Sequence, residues 1–259
     1  MNTTNKKQFK IEPAATPEKA AEAAGKYVGD VLAQYVDTPV LLLLAGGSSV
    51  KILEHISSEY LSELLTVTVT DERFSEELDE NNFAILQAQT FYNELVQVDA
   101  MCIDTQIIND ESFEGHRARF ENNIREWKRD FPNGKIVAVY GMGEDGHTAG
   151  IIPGILSKEA FDLEFNNDDK LVGKLDATGK NPFPLRDSTT LPFMRNWVDH
   201  AAFFVTGSNK KEMLERAILP EDEQKSDLFE LPAQVMVQMK DVLLFTDISS
   251  DAFEPFLLK

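Results

Sequence analysis

Lys135 to Gly154 reads KIVAVYGMGEDGHTAGIIPG, and the rest of the chain is organised around it. Ile136 to Tyr140 is a short, wholly apolar run rich in β-branched residues, with Gly134 before it and Gly141 after it. Such a run reads as a strand buried on both faces, as in a parallel sheet with helices above and below. Gly141, Gly143 and Gly146 follow at once, with Asp145 and His147 among them. Glycine lets a ligand approach the main chain closely. An imidazole at the carboxyl end of a buried parallel strand stands where open α/β sheets bind ligands. His147 and Asp145 are therefore the first candidate functional residues.

The same letters admit three other readings. The glycines satisfy G-x-G-x-x-G, but the dinucleotide version needs a regular helix next and then a strand ending in an acidic residue. Pro153 and Gly154 would stop such a helix almost at once, and the run near Phe161 to Phe165 makes a poor strand. A phosphate loop of the Walker type is excluded, because no Gly-Lys-Ser/Thr occurs. A Gly-rich turn with no function beyond tightness stays open.

Outward from this stretch, strands and helices alternate. Thr16-Pro17-Glu18 is a helix start with a hydroxyl cap and proline in the first turn. Val40 to Leu44 is another buried strand, followed by Ala45-Gly46-Gly47-Ser48-Ser49 and a helix suggested by Leu53 and Ile56. A strand, a Gly-Gly-Ser turn and a helix start leave backbone N–H groups free to cradle an anion. Thr66 to Thr70 reads as a strand ending in Asp71-Glu72-Arg73, either a solvated turn or part of a site. These carboxylates with Asp145 lack the spacing of a metal site.

Phe83, Leu86 and Phe91 suit a helix, as do Phe113, Phe120, Ile124 and Trp127. His116 and Arg117 on that second helix are expected at the surface, as are His55 and His200. Ala160 to Asp169 is polar enough for a loop. Leu171 to Leu175 suits a strand, and Pro182 to Leu191 excludes a central strand before Leu185. Pro192 opens a helix through Trp197. Ala201 to Val205 is a strand followed by Thr206 to Lys210 and a helix with Met213, Leu214 and Ile218. Glu221 to Asp227 reads as a charged loop, and Val242 to Phe245 as a last strand. The alternation predicts one doubly wound α/β domain over residues 1–259, a mostly parallel sheet with helices on both faces.

Charge works by exclusion. A formal net charge of −19 repels nucleic acid and anionic membranes, so neither is an expected partner. An anionic ligand would need a local cluster of arginine and lysine. The single cysteine, Cys102, forms no internal disulfide, and MNTTNKKQFK lacks a signal-peptide core, so a cytoplasmic enzyme is expected.

In family order, several segments resemble the 6-phosphogluconolactonase family, relatives of glucosamine-6-phosphate deaminase. GMGEDGHTAGIIPG is similar to G-x-G-x-D-G-H-T-A-S-L-F-P-G, and LAGGSS to L-S-G-G-S-T-P. TDERF followed by Asn82 resembles D-E-R … S-N, PLRDSTTL resembles R-V-T-L-T, and VTGSNK resembles T-G-x-x-K. Departures are Ser49-Val50 for Thr-Pro, Asn81 and Gly150 for serines, Asp187 inside the R-V-T-L-T equivalent, and no Val-Pro and His after Arg73.

The resemblance implies a Rossmann-like fold of the glucosamine-6-phosphate deaminase/ribose-5-phosphate isomerase type. It also implies hydrolysis of a phosphorylated sugar lactone, 6-phosphoglucono-δ-lactone, in the pentose phosphate pathway, with no metal or organic cofactor. His147 would take a proton from water, and N–H groups of the Gly loop around Gly143 would meet the oxyanion. Gly46, Gly47, Ser48, Arg73, Arg186 and Lys210 would hold the phosphate. Asp71 or Asp145 would orient the imidazole. A deaminase or isomerase of the same superfamily, and a non-catalytic sugar-phosphate-binding protein, are the rivals. Against the deaminase, Ile152 stands where those enzymes carry a glutamate.

Overall fold

The computed structural model describes residues 8–219 and 227–258. Chain order runs β1 (Gln8–Pro13), α1 (Pro17–Gln34), β2 (Val40–Leu44), β3 (Leu65–Val69), β4 (Asp71–Arg73), α2 (Asn82–Gln87), α3 (Thr90–Gln97) and β5 (Met101–Cys102). It continues with α4 (Phe113–Asp130), β6 (Lys135–Gly141), α5 (Lys158–Phe165), β7 (Val172–Asp176) and β8 (Leu185–Thr189). Last come α6 (Leu191–Asn196), β9 (His200–Phe204), α7 (Lys211–Ala217) and β10 (Asp241–Thr246).

Seven strands form one sheet in the order β1-β10-β9-β6-β2-β3-β5, and every neighbouring pair is parallel. All residues of β2 and β3 are buried, so both faces of the sheet centre are covered, as the unbroken apolar run of β2 requires. The chain lays β3 and β5 to one side of β2, then returns through β6 to build β9 and β10 on the other. The order therefore reverses between β2 and β6, and loops leaving their carboxyl ends open a crevice there.

Local chemistry sets the helix starts. Thr16 accepts a hydrogen bond from the Lys19 amide at 3.2 Å, and Pro17 occupies the first turn of α1. Asn81 caps α2 by accepting from Ala84 N at 2.8 Å. The helix expected around Leu53 and Ile56 is a 3-10 segment, Gly47–His55. Its glycine, serines and β-branched Val50 favour α-helix poorly. It packs so tightly on α1 that a Cβ on Gly25 would lie 2.5 Å from His55 Cβ.

Other expectations need correction. Ala160 to Asp169 is not a loop throughout: α5 covers its first part, capped by Ser157, and buries Phe161 and Phe165. β1 was not foreseen in the polar N-terminal segment; it pairs with β10, and a bridge from Ile11 to Leu257 covers its other side. Asp71-Glu72-Arg73 is no charged turn but the first strand of a second sheet, three-stranded and antiparallel, in the order β4-β8-β7. The loop expected at Glu221 to Asp227 lies, but for Asp227, outside the described residues.

The histidines also depart from expectation. His116 is fully buried, because both ring nitrogens find partners, Asp187 and the Thr105 carbonyl. Arg117 is largely buried as well, between Glu114 and Glu121. His200 is partly buried between Asp241, 2.6 Å from Nδ1, and the Tyr35 hydroxyl, 2.7 Å from Nε2. His55 is exposed, as expected. Among the described residues no helix is long and apolar enough to cross a membrane.

Candidate active site

A cleft of about 220 Å³ opens where the strand order reverses, lined by Ala45 to Ser49 after β2, by Gly141, Met142, Gly143 and His147 after β6, and by Lys210 after β9. Asp71, Arg73 and Arg186 reach it from the antiparallel sheet, with Asn82 and Ala149. Gly46, Gly47, Ser48, Asp71, Arg73, Gly143, His147, Arg186 and Lys210 thus meet in one place, and Asp145 stands directly behind His147.

The loop after β6 is a closed ring of short bonds. Gly143 N donates to His147 O at 3.0 Å, Gly146 N to Gly143 O at 3.1 Å, and His147 N to Asp145 Oδ1 at 3.1 Å. Gly146 has φ +82°, where a side chain would be strained. The imidazole lies flat against Gly143, whose added Cβ would come within 2.1 Å of His147 Cε1. These amides are therefore engaged in shaping the loop, and those of Gly143, Gly146 and His147 are not free to meet an oxyanion.

His147 Nδ1 lies 2.6 Å from Asp145 Oδ1. An ionised carboxylate only accepts, so Nδ1 carries hydrogen and, in the neutral ring, Nε2 carries the lone pair. Nε2 has no partner among the described residues. Burial pushes the Asp145 carboxyl up, but the bond to the imidazole, its charge and the backbone N–H outweigh that and hold it below the usual range. Asp71, the other candidate for orienting the ring, turns elsewhere. It accepts from Thr70 Oγ1 at 3.0 Å, and its Oδ2 lies 4.0 Å from an Arg186 nitrogen.

The cationic side of the cleft is built around Phe183, which the sequence reading had not singled out. Arg73 stacks with Cζ 4.0 Å from the ring centroid, and Arg186 lies 5.7 Å from it. Arg186 Nε donates to Phe183 O at 3.2 Å, and Arg73 donates to Glu80 O at 3.0 Å. Arg73 Nε is buried with no partner among the described residues. Burial lowers the pKa of Lys210, partly offset by Glu144 and Asp247, and its ammonium makes no close ion pair among the described residues.

Gly47, at φ +61°, turns the chain into the 3-10 segment, whose first amides lack intrahelical acceptors. Asn82 closes the wall; a Cβ on Gly46 would lie 2.3 Å from its Oδ1, which is buried and unpartnered among the described residues. Asn82 was not among the expected site residues, although it lies in a segment that resembles the family. Ala149 holds φ +48°, unusual for a residue with a side chain, and Gly150 N donates to Ser188 Oγ at 3.0 Å. An added Cβ on Gly150 would meet Ser188 Cβ at 3.0 Å, which accounts for glycine where the similar segment has serine. No cluster of His, Cys, Asp and Glu suited to a metal ion occurs among the described residues.

The parallel sheet, the crevice at its switch point and the histidine-bearing Gly loop define an α/β protein with a cleft that brings a histidine together with arginine and lysine. A model of the family described as glucosamine-6-phosphate isomerases/6-phosphogluconolactonase matches residues 15–245, and the chain belongs to that family. Solved structures similar in fold include a 6-phosphogluconolactonase from Plasmodium vivax, with TM-score 0.73, 14% identity, and coverage of 99% of this chain and 97% of that one. One from Shewanella baltica OS155 has TM-score 0.71 and 18% identity over 93% of this chain and 97% of that one. One from Trypanosoma brucei has TM-score 0.71 and 16% identity, again over 93% and 97%. A comparison with curated proteins finds no match.

Proposed function

We propose that this protein hydrolyses 6-phosphoglucono-1,5-lactone to 6-phosphogluconate, as a cytoplasmic enzyme of the pentose phosphate pathway. The observation that carries the reading is the Asp145–His147 pair, with the unpartnered Nε2 on the wall of a cleft that also holds arginine and lysine. A lactone is an activated ester, so one base and one water suffice. Nε2 removes a proton from water as the oxygen bonds to the lactone carbonyl carbon. Asp145 stabilises the imidazolium that forms. The tetrahedral oxyanion then collapses, the bond to the ring oxygen breaks, and that oxygen takes the proton back from His147. Arg73, Arg186 and Lys210 offset the negative charge of the substrate and of the oxyanion.

Arg186, Lys210 and the Gly46-Gly47-Ser48 turn hold the phosphate in this reading. Arg186→Ala and Lys210→Ala are expected to weaken 6-phosphogluconate binding by about 1.5–3 kcal/mol each, the worth of a charge-assisted contact. Affinity for unphosphorylated gluconate should barely change. Calorimetric titration of both ligands checks this, and equal losses for the two would remove the phosphate from these residues.

The deaminase alternative needs a second acid–base group beside Asp145 and His147. Ile152, buried and aliphatic, stands at the relevant position and can move no proton. Assays with freshly prepared lactone and with glucosamine 6-phosphate decide between the two. Lactone turnover without ammonia release is expected. Sustained ammonia release above the enzyme-free control would reverse the assignment.

A further inference from the structure

The antiparallel sheet has a second face, and it carries charge that the reaction above leaves unused. Register pairs Arg73 with Arg186 and Glu72 with Asp187 across β4 and β8. Side chains alternate along a strand, so the arginines reach the cleft while Glu72 and Asp187 go to the other face. Both carboxylates are completely buried there. His116 enters beside Asp187 from α4. Its Nδ1 bonds Asp187 Oδ2, and its Nε2 lies 2.6 Å from the Thr105 carbonyl oxygen. Thr105 Oγ1 donates to Glu72 Oε2 at 2.7 Å.

Glu72 in turn accepts from the amides of Arg73 at 2.6 Å, Asn82 at 2.6 Å and Phe83 at 3.0 Å. These hydrogen bonds, joined through Thr105 itself, link a position one residue from Arg186 to the backbone of Arg73 and Asn82. All three residues line the cleft. Asp187 is also a departure from the R-V-T-L-T segment that PLRDSTTL resembles.

Proton count explains why the ring is central. The Thr105 carbonyl only accepts, so Nε2 carries hydrogen, and a further proton is held between Nδ1 and Asp187. Without His116, Asp187 would keep no hydrogen-bond partner among the described residues in a dry interior, opposite Glu72 on the paired strand, which is costly. Burial draws the His116 pKa down, but Asp187 and the Thr105 carbonyl more than reverse it. Glu111, Glu114, Arg117 and Arg119 are the other charged groups facing the pair.

We propose that His116 is a positioning residue for the cationic wall of the cleft, tying the buried face of β4 and β8 together so that Arg73 and Arg186 keep their spacing over Phe183. The proposal rests on the functional reading only in that these arginines are the ones expected to meet the phosphorylated substrate. His116→Leu strands the Asp187 carboxylate, so it is measured beside His116→Leu/Asp187→Val, which removes both partners and keeps the fold accessible.

The readouts are the Nε–H resonances of Arg73 and Arg186 followed by NMR from about pH 6 to 9, and the affinity for 6-phosphogluconate and inorganic phosphate over the same range. In the wild type the arginine resonances should move in step with the His116 ring protons, and 6-phosphogluconate affinity should weaken about tenfold as that proton leaves. In the double variant the component tracking His116 should vanish and the affinity should no longer follow it. Identical titrations in the two proteins would overturn the proposal, as would arginine resonances that ignore His116. A wild type that turns over no lactone would instead defeat the functional reading, while the arginine resonances still report on His116.

Discussion

His147→Ala should lower kcat for lactone hydrolysis by about 10²- to 10⁴-fold, the range of a positioned general base. No other cleft group offers the same chemistry. Asp71 is occupied by Thr70 and faces Arg186, and the remaining titratable groups lining the cleft are cations. KM should change little, since the proposed function gives the phosphate to other residues. The fold should survive too, because the ring is over a third exposed, with 37% of its side chain accessible. Initial rates on fresh lactone, corrected for spontaneous hydrolysis, test this. A variant within about threefold of wild type would remove the histidine from the chemistry.

The second large effect is on stability. His116→Leu should cost about 3–5 kcal/mol, the penalty for breaking a buried charged pair by deleting one partner. The double change to apolar residues should recover most of that loss. The same cluster sets a sign for pH dependence. Burial raises Glu72 to about 7 against the pull of its hydrogen-bond donors, and burial also raises Asp187 despite His116. His116 is raised as well, its partners outweighing burial.

All three groups therefore bind protons more tightly folded than unfolded, and their contribution declines as pH rises. The loss begins above the unfolded values of 3.8 for Asp187 and 4.5 for Glu72, and above 6.5 for His116. Urea unfolding of the wild type should give a lower free energy at about pH 8 than at about pH 6, with the difference much reduced in the double variant. A wild type that gains stability over that interval would contradict the assignment.

The parallel sheet was largely legible in the sequence because its central strands are buried on both faces. Val40 to Leu44, Ile136 to Tyr140 and Ala201 to Val205 have no polar residue to blur the pattern. The cleft was legible for a related reason: the switch point puts the loops after these strands side by side, and each loop carries its own glycine signature. The antiparallel sheet was not. β4 follows β3 after one residue, Thr70, so strand and charged triplet read as one element with a solvated end. Glu72, His116 and Asp187 were unreadable because polarity points a charged residue outward. Only long-range pairing makes their burial affordable, and such pairing leaves no local trace. α5 was obscured by its acidic residues, although Ser157 gives it an ordinary cap.

The two margins of the parallel sheet carry a consequence for how the protein behaves at high concentration. An open sheet ordinarily offers rows of unsatisfied amides and carbonyls on which another chain can template itself into an aggregate. Here one margin, β5, is only two residues long, and the other, β1, has Leu257 bridged to Ile11 and the Leu258 amide bonded to its carbonyl oxygen. Among the described residues, neither border leaves a long run for strand addition. Together with mutual repulsion among molecules of net charge −19, this short and capped perimeter equips the protein to stay dispersed where a flat-edged sheet would begin to stack.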